Sequence, residues 1–405
     1  MPRWLIPAVY VVASFAAAEL IPRAEYAWLP VYGHEVSVST AQALLGAIAS
    51  GMMAFTAIVF SIGFLFIQYT ATAYSKRFIL QLSHRPVIYH AFGIFVATFT
   101  FALGTLSFVN RNGSDWVPFF SIAIVGGLLL ASIVLLAMLV NRVAELRVTR
   151  MLAYIGDLGR ATIGLMPDAP APASAQRQPQ DRPSQVVVHS KEFRTLSAFD
   201  KPGLVDLARA SDVTIELMCA VGDSLSPGSI LARIYGGRLA EAALVARLRL
   251  RRENFFDREL RFSLRILVDT AIMALSPAVN DPTTAVQAID QIEDLMIRLG
   301  GKPRDVGRVA DENGRLRLIY PAPTWNDYLS LAFDEIRRCG GDSLQVVRRL
   351  RAALVRLADG LDDERRDAVL EYRRRLDAEV DVRGFDAVDR ATALGIDPQG
   401  IGLTR

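Results

Sequence analysis

The sequence predicts a mixed fold, in which a transmembrane region of four helices is followed by a cytosolic α+β region. The chain has 405 residues, 52% of them hydrophobic, and the apolar excess lies before Val140. That part contains four long apolar runs, Trp4–Leu20, Ala41–Tyr69, Pro86–Val109 and Trp116–Val140. After it, helical patterns with many charges alternate with short segments typical of strands.

The apolar runs predict helices that cross a bilayer, which takes about 20 apolar residues each. Asp, Glu, Lys and Arg are absent from Val36–Ser75, and also from the third and fourth runs. We therefore expect a four-helix transmembrane domain at residues 1–140. The first run has an alternative interpretation as a cleaved signal peptide, with Arg3 at its basic end and Ala16–Ala18 as the cleavage site.

Basic residues predict the orientation of the helices, because they are enriched on the cytoplasmic side. Lys76, Arg77 and Arg85 separate the second and third runs, and further arginines follow the fourth run. The other two connections carry fewer basic residues, together with acidic ones. We expect a multi-pass membrane protein, with membrane lipid as a partner and both termini in the cytoplasm.

Composition divides the remaining chain into five expected segments. Helical spacing continues after the last run, and a stretch rich in Pro, Ala and Gln then predicts a linker. Strand-like and helical patterns follow it, and the last residues are expected to be poorly ordered. The segments are a helical extension at 141–165, a flexible linker at 166–183, a small β-rich domain at 184–238, a mainly helical cytosolic domain at 239–394 and a tail at 395–405.

The β-rich segment contains the pattern VGDSLSPGSILARI, which is similar to half of a biotinyl/lipoyl-type barrel. Gly222 and Gly228 are expected to supply its turns. The lysine that carries the prosthetic group in lipoyl domains is absent, so we infer a likeness of fold and no cofactor. A single strand is also expected within Gly314–Tyr320, inside the mainly helical segment.

Several function classes lack support in the sequence. Phosphate-binding loops, dinucleotide-binding glycine patterns, nucleophile elbows and zinc-protease motifs are absent, so no enzyme is predicted. Cys219 and Cys339 have no metal-binding spacing, and no metal site is expected. The charge is close to balanced, which argues against nucleic acid as a partner. We interpret the arginine-rich tract Arg337–Arg375 as a solvated helix pair or an interface.

The second apolar run has an unusual face. As one helix, Val36–Ser75 would exceed the ~30 Å hydrocarbon core. Steps of three and four residues place small and polar side chains on one stripe. Two interpretations remain open: a face for close helix packing, or the wall of a water-filled path with Met53 and Phe64 as constrictions. The candidate pore-lining residues are Ser50, Met53, Ala57, Ser61, Phe64, Gln68 and Thr72.

A second polar concentration occurs in the segment ALSPAVNDPTTA, which lies between two helical patterns. Pro277 should end the first helix, and Asp281 with Pro282 should start the second. In the simpler interpretation, these residues only form a tight structural corner between the two helices. The alternative is a ligand or interface site, since helix N-termini attract anions. The candidate residues for that site are Arg265, Asp269, Ser276, Asn280, Asp281, Thr283 and Thr284.

These segments also carry a family resemblance. Along the chain these are SGMMAFTAIVFSIGFLFIQYTATAYSKR, VGDSLSPGSILARI, FSLRILVD, ALSPAVNDPTTA and GRLRLIYPAPTWNDYLSLAFDEIR, in this order. Together they resemble the bacterial family of predicted membrane proteins called domain of unknown function 2254. The resemblance implies the layout of the chain and a location in the bacterial inner membrane, and it implies no established activity.

Two functions therefore remain as hypotheses. The first is a homo-oligomeric channel or pore-like transport protein for a small ion, lined by the second helix and gated or assembled by the cytosolic domain. The second is a membrane-anchored sensor or scaffold that binds an anionic ligand or a partner at the Ser276–Thr284 corner.

Overall fold

The structure is a computed structural model of the chain. It describes residues 5–29, 36–73, 87–111, 115–144, 148–168, 182–252, 259–303, 306–398 and 400–402. Most of the expected linker, residues 169–181, lies outside this part of the chain. The chain divides into two compact units, Met1–Arg150 and Met151–Arg405.

The first unit is a bundle of apolar helices. Among the described residues it contains α1 (Leu5–Trp28), α2 (Val38–Ala73), α3 (Val87–Leu106) and α4 (Phe119–Ala144). Each of the four contains a stretch long and apolar enough to span a membrane. The four expected transmembrane helices are therefore present. Their apolar side chains suit the hydrocarbon core of a membrane.

Helix α3 is the centre of this bundle and contacts α1, α2 and α4. Its close contact with α1 depends on glycine, since a Cβ added at Gly104 would lie 2.5 Å from the Cβ of Ala18. Its contact with α4 includes a buried pair of hydroxyl groups, Thr98 and Ser132, with their oxygens 3.2 Å apart. Small residues and hydroxyls are common at such helix contacts in membranes.

The second unit mixes helices and strands. Its first helix is α5 (Val148–Gly164), which lies within the helical extension predicted at 141–165. The other helices are α6 (Lys201–Ala210), α7 (Glu241–Ala246), α8 (Leu260–Ala274), α9 (Pro282–Gly300), α10 (Trp325–Leu329), a π-helical turn (Ser330–Asp334), α11 (Glu335–Gly340), α12 (Leu344–Ala358), α13 (Asp363–Val382) and α14 (Ala387–Ala393). The strands are β1 (Gln185–Val188), β2 (Arg194–Phe199), β3 (Thr214–Leu217), β4 (Ser224–Leu225), β5 (Ile230–Tyr235), β6 (Leu248–Arg251), β7 (Arg308–Ala310) and β8 (Leu316–Ile319).

The strands form two sheets in the described part of the chain, with orders β1-β5-β3-β8-β7 and β4-β2-β6. Strand β3 pairs antiparallel with β5 and parallel with β8. Gly222 and Gly228 have φ angles of 99° and 91°, as expected for turns. The lipoyl-type likeness is not confirmed, because β3 is shared with the distant β8 and β4 joins the other sheet.

Strand β6 was missed by the sequence analysis, which expected helix from residue 239 onward. Leu248 pairs with Phe199 of β2, so this strand completes a sheet that begins before the expected boundary at 238. Strands β7 and β8 likewise extend the first sheet from beyond that boundary. The physical reason is that edge pairing with a distant strand leaves little trace in local periodicity.

The helical part of this unit is built around α9, which packs against α8 and α12. Helix α12 also contacts α13 and α14. The structure describes residues 395–398 and 400–402 of the expected tail. Asp397 is fully buried, and its carboxylate accepts backbone hydrogen bonds from Gly400 and Gly402 at 2.8 and 2.6 Å.

Candidate functional site

Helix α2 is continuous for 36 residues, from Val38 to Ala73. At a rise of 1.5 Å per residue this length is about 54 Å, well beyond a ~30 Å hydrocarbon core. Val38–Ser61 is long and apolar enough to span a membrane, and the helix continues beyond it to Ala73.

The polar stripe of α2 lies on the outside of the bundle. Ser50, Ala57 and Ser61 are exposed, and Met53 and Phe64 are each 54% exposed. The buried side of α2 is formed by other residues, Ala41, Leu45, Ile48, Ala49, Met52 and Val59. With about 100° of rotation per residue, the centres of these two sets lie on nearly opposite sides of the helix.

Two stripe hydroxyls bond to their own helix. Ser50 Oγ donates to the carbonyl of Gly46 at 2.7 Å, and Ser61 Oγ donates to the carbonyl of Ala57 at 3.0 Å. Each oxygen keeps acceptor capacity that faces outward. Gln68 and Thr72 lie on the helix, but their side chains are outside the described part of the structure.

The ALSPAVNDPTTA corner has the local structure that the sequence predicted. Asp281 caps α9, and its carboxylate accepts from Thr284 N at 3.1 Å and from Thr284 Oγ1 at 2.5 Å. Ser276 Oγ donates to Met273 O at 2.7 Å, and Asn280 adopts a left-handed φ of 48°. Thr283 is exposed. These contacts account for the polar residues as parts of a structural corner.

Arg265 and Asp269 belong to an ion-pair cluster rather than to this corner. Arg265 Nε donates to Asp269 Oδ1 at 2.6 Å. Its two terminal nitrogens donate to the two carboxylate oxygens of Glu335 at 2.6 and 2.9 Å. This bidentate contact lowers the pKa of Glu335 and raises that of Arg265. The sequence analysis had no signal for Glu335 as the partner, since 70 residues separate the two.

A second cluster, which the sequence analysis did not single out, lies between α9 and α12. Arg349 and Glu293 are 1% and 3% exposed, and they form an ion pair. Arg349 of the arginine-rich tract is thus buried, which corrects the interpretation as a solvated helix pair at this residue, and the alternative interpretation as an interface stays a prediction. The only available signal was the placement of these charges on otherwise apolar helix faces.

Comparisons with known proteins agree with this layout. The model of the family described as predicted membrane protein (DUF2254) matches residues 2–356. An uncharacterized protein of Mycobacterium bovis and one of Mycobacterium tuberculosis are each 28% identical over 421 residues, covering 97% of this chain and 78% of theirs. No solved structure matches. Since the family model covers most of the chain, the protein belongs to the DUF2254 family of predicted membrane proteins.

Proposed function

We propose that the protein is a homo-oligomeric channel or pore-like transport protein of the bacterial inner membrane. The observation that carries this proposal is the orientation of the α2 stripe. Ser50, Met53, Ala57, Ser61 and Phe64 face away from the bundle, while α2 packs on α3 through the opposite side. Copies arranged around an axis would bring these stripes together.

A stripe of this kind suits a narrow path better than a lipid-facing surface. Small residues allow helices to approach closely, and hydroxyl oxygens are solvated by water but not by lipid tails. Met53 and Phe64 would form hydrophobic constrictions, which gate by excluding water. The segment Val36–Ser75 has no Asp, Glu, Lys or Arg, so it lacks the buried charge that a proton-coupled carrier normally needs.

The second unit would lie in the cytoplasm with both termini, since the basic residues favour that orientation. We propose that it assembles or gates the channel. The competing proposal of a sensor at the Ser276–Thr284 corner receives less support, because the Ser276 hydroxyl bonds to the carbonyl of Met273 and the Asp281 carboxylate bonds to Thr284.

The proposal is tested with the purified full-length protein reconstituted into liposomes. Potassium and chloride flux is recorded, and mass photometry on the same sample gives the number of copies. Ser61→Leu and Gln68→Leu are expected to abolish flux, because each replaces a polar side chain of the proposed path with an apolar one. A conducting oligomer of the wild-type protein is the expected companion result.

The matched control is Thr100→Leu on α3. Thr100 Oγ1 donates to the carbonyl of Val96 at 2.8 Å, as Ser61 does within α2, but it lies outside the stripe. This variant should conduct like the wild type. Flux that is unchanged in both stripe variants, or a monomer without flux, would contradict the channel.

A further inference from the structure

A charged cavity lies in the second unit, between α9 and α12. Its volume is about 320 Å³. This volume falls at the lower end of the range of ~300–1,000 Å³ for ligand pockets, which suits a small ligand. The cavity is lined by Asp290, Glu293, Asp294, Ile297, Arg349, Arg356 and Pro398.

Arg349 organises the charged wall of this cavity. Its Nε donates to Asp290 Oδ1 at 2.7 Å, and one of its terminal nitrogens donates to Glu293 Oε2. Arg356, whose side chain is 49% exposed, donates to the same Glu293 oxygen at 2.5 Å. Two guanidinium groups thus share a single carboxylate oxygen.

The network leaves two buried atoms unsatisfied. Among the described residues, neither Arg349 Nη1 nor Glu293 Oε1 has a hydrogen-bond partner. A buried charged group that lacks a partner is destabilising. One atom is a donor and the other an acceptor, so the charges of Arg349 and Glu293 are incompletely satisfied inside the protein, while Arg356 and Asp290 offer an accessible donor and acceptor, with side chains 49% and 45% exposed.

The charge balance of the cavity narrows the class of ligand. Arg349 and Arg356 oppose Asp290 and Glu293, so these four charges cancel. The remaining carboxylate, Asp294, is paired elsewhere, with Arg160 at 2.7 Å and Arg298 at 2.9 Å. A simple anion would meet two carboxylates, and a simple cation would meet two guanidinium groups. A ligand that carries both charges avoids either repulsion.

We propose that this cavity binds a small zwitterion of the α-amino acid class. The carboxylate would face Arg349 and Arg356, and the ammonium group would face Glu293 and Asp290. Ile297 and Pro398 would contact an apolar side chain of the ligand.

A further observation at Asp290 agrees with this arrangement. Burial raises the pKa of the Asp290 carboxyl, and a neighbouring ammonium group would favour its charged form. The binding proposal does not depend on the channel, because it concerns only residues of the second unit. Loss of flux and loss of binding are therefore separate results.

The test is calorimetric titration of the full-length protein in detergent micelles. The probes are L-leucine, N-acetyl-L-leucine, which lacks the ammonium charge, L-leucinamide, which lacks the carboxylate, and inorganic phosphate. L-Leucine is expected to bind and to raise the melting temperature. The affinity for each single-charge analogue should be lower by a factor of about ten or more. Equal binding of phosphate or of either analogue would overturn the proposal, and so would the absence of binding by L-leucine.

Two variants on helix α12, one inside the cavity and one outside it, test whether L-leucine binds in the cavity. Arg356→Gln should weaken L-leucine binding about tenfold, because it removes a charged donor from the cavity. Arg351→Gln is the control, since Arg351 pairs with Asp377 and does not line the cavity. If Arg356→Gln does not fold, Asp290→Asn provides the same comparison. Unchanged affinity in a folded cavity variant would overturn the proposal.

Discussion

Glu25 of α1 caps the N-terminus of α4 by accepting hydrogen bonds from Ser121, from its backbone N at 3.1 Å and its Oγ at 2.9 Å. The other carboxylate oxygen accepts from the backbone N of Phe120 at 2.7 Å. Glu25 lies after the first apolar run of the sequence, but α1 continues to Trp28 and the residue is 5% exposed. A buried carboxylate at a helix N-terminus is stabilised by the free N–H groups there.

This contact predicts that Glu25→Ala destabilises the first unit by about 1–3 kcal/mol, because three donors lose their acceptor. The free energy of unfolding in mixed detergent micelles is the measurement. Glu19→Ala is the control, since Glu19 forms an exposed ion pair with Arg23 on the same helix. That variant should change stability by less than about 1 kcal/mol. Equal losses in the two variants would rule out a special role for Glu25.

The contact between α1 and α3 predicts a second stability effect. Gly104→Ala places a Cβ 2.5 Å from the Cβ of Ala18, so the two helices must move apart. We expect a loss of about 1–3 kcal/mol in the free energy of unfolding. Gly126→Ala on α4 is the matched control, because a Cβ there meets nothing within 4 Å. The prediction fails if the two alanine variants have the same stability.

The corner between α8 and α9 predicts a difference between two neighbouring residues. Asp281→Ala removes the N-cap of α9 and should cost about 0.5–2 kcal/mol of stability. Thr283→Ala should cost little, because Thr283 is exposed. Both values come from thermal or denaturant unfolding of the full-length protein. A loss in Thr283→Ala as large as that in Asp281→Ala would show that the corner is more than a cap.

The two cysteines should differ in reactivity. Burial, together with the negative charge of Asp223, raises the pKa of the Cys219 thiol to about 11. Cys339 is exposed. Since the thiolate is the reactive form, iodoacetamide at pH 7.5 should alkylate Cys339 and leave Cys219 unmodified.

Mass spectrometry of the intact protein checks this prediction. One adduct is expected on the folded protein at pH 7.5 and still at pH 9, which is below the raised pKa of Cys219. Two adducts are expected after denaturation, because unfolding removes the burial. Two adducts on the folded protein at pH 7.5 would show that Cys219 is accessible.

Local sequence was sufficient for features that depend on neighbouring residues. Uninterrupted apolar runs led to the four helices, since the length of such a run alone decides whether it can cross a bilayer. The cap at Asp281 followed from the Asp-Pro pair, because capping uses atoms only three residues apart. The turns at Gly222 and Gly228 followed for the same reason.

Contacts between distant segments could not be predicted in this way. Periodicity identifies which face of a helix is polar, but it does not say which residue of another element will lie opposite. Glu335 opposite Arg265 is an example, because each residue alone is typical of an exposed helix surface. Strand β6 is another, since its four residues acquire a partner only when β2 lies beside them.

The sequence by itself thus determined the four apolar helices, the stripe of α2 and the cap at Asp281, because these depend on composition and on spacings of a few residues. The tertiary structure decided which surfaces are covered. It turned the α2 stripe outward, buried Arg349 against Glu293 and placed Glu25 on the start of α4. Burial and charge pairing depend on segments that come into contact only when the whole chain has folded. Local sequence patterns do not identify those contacts.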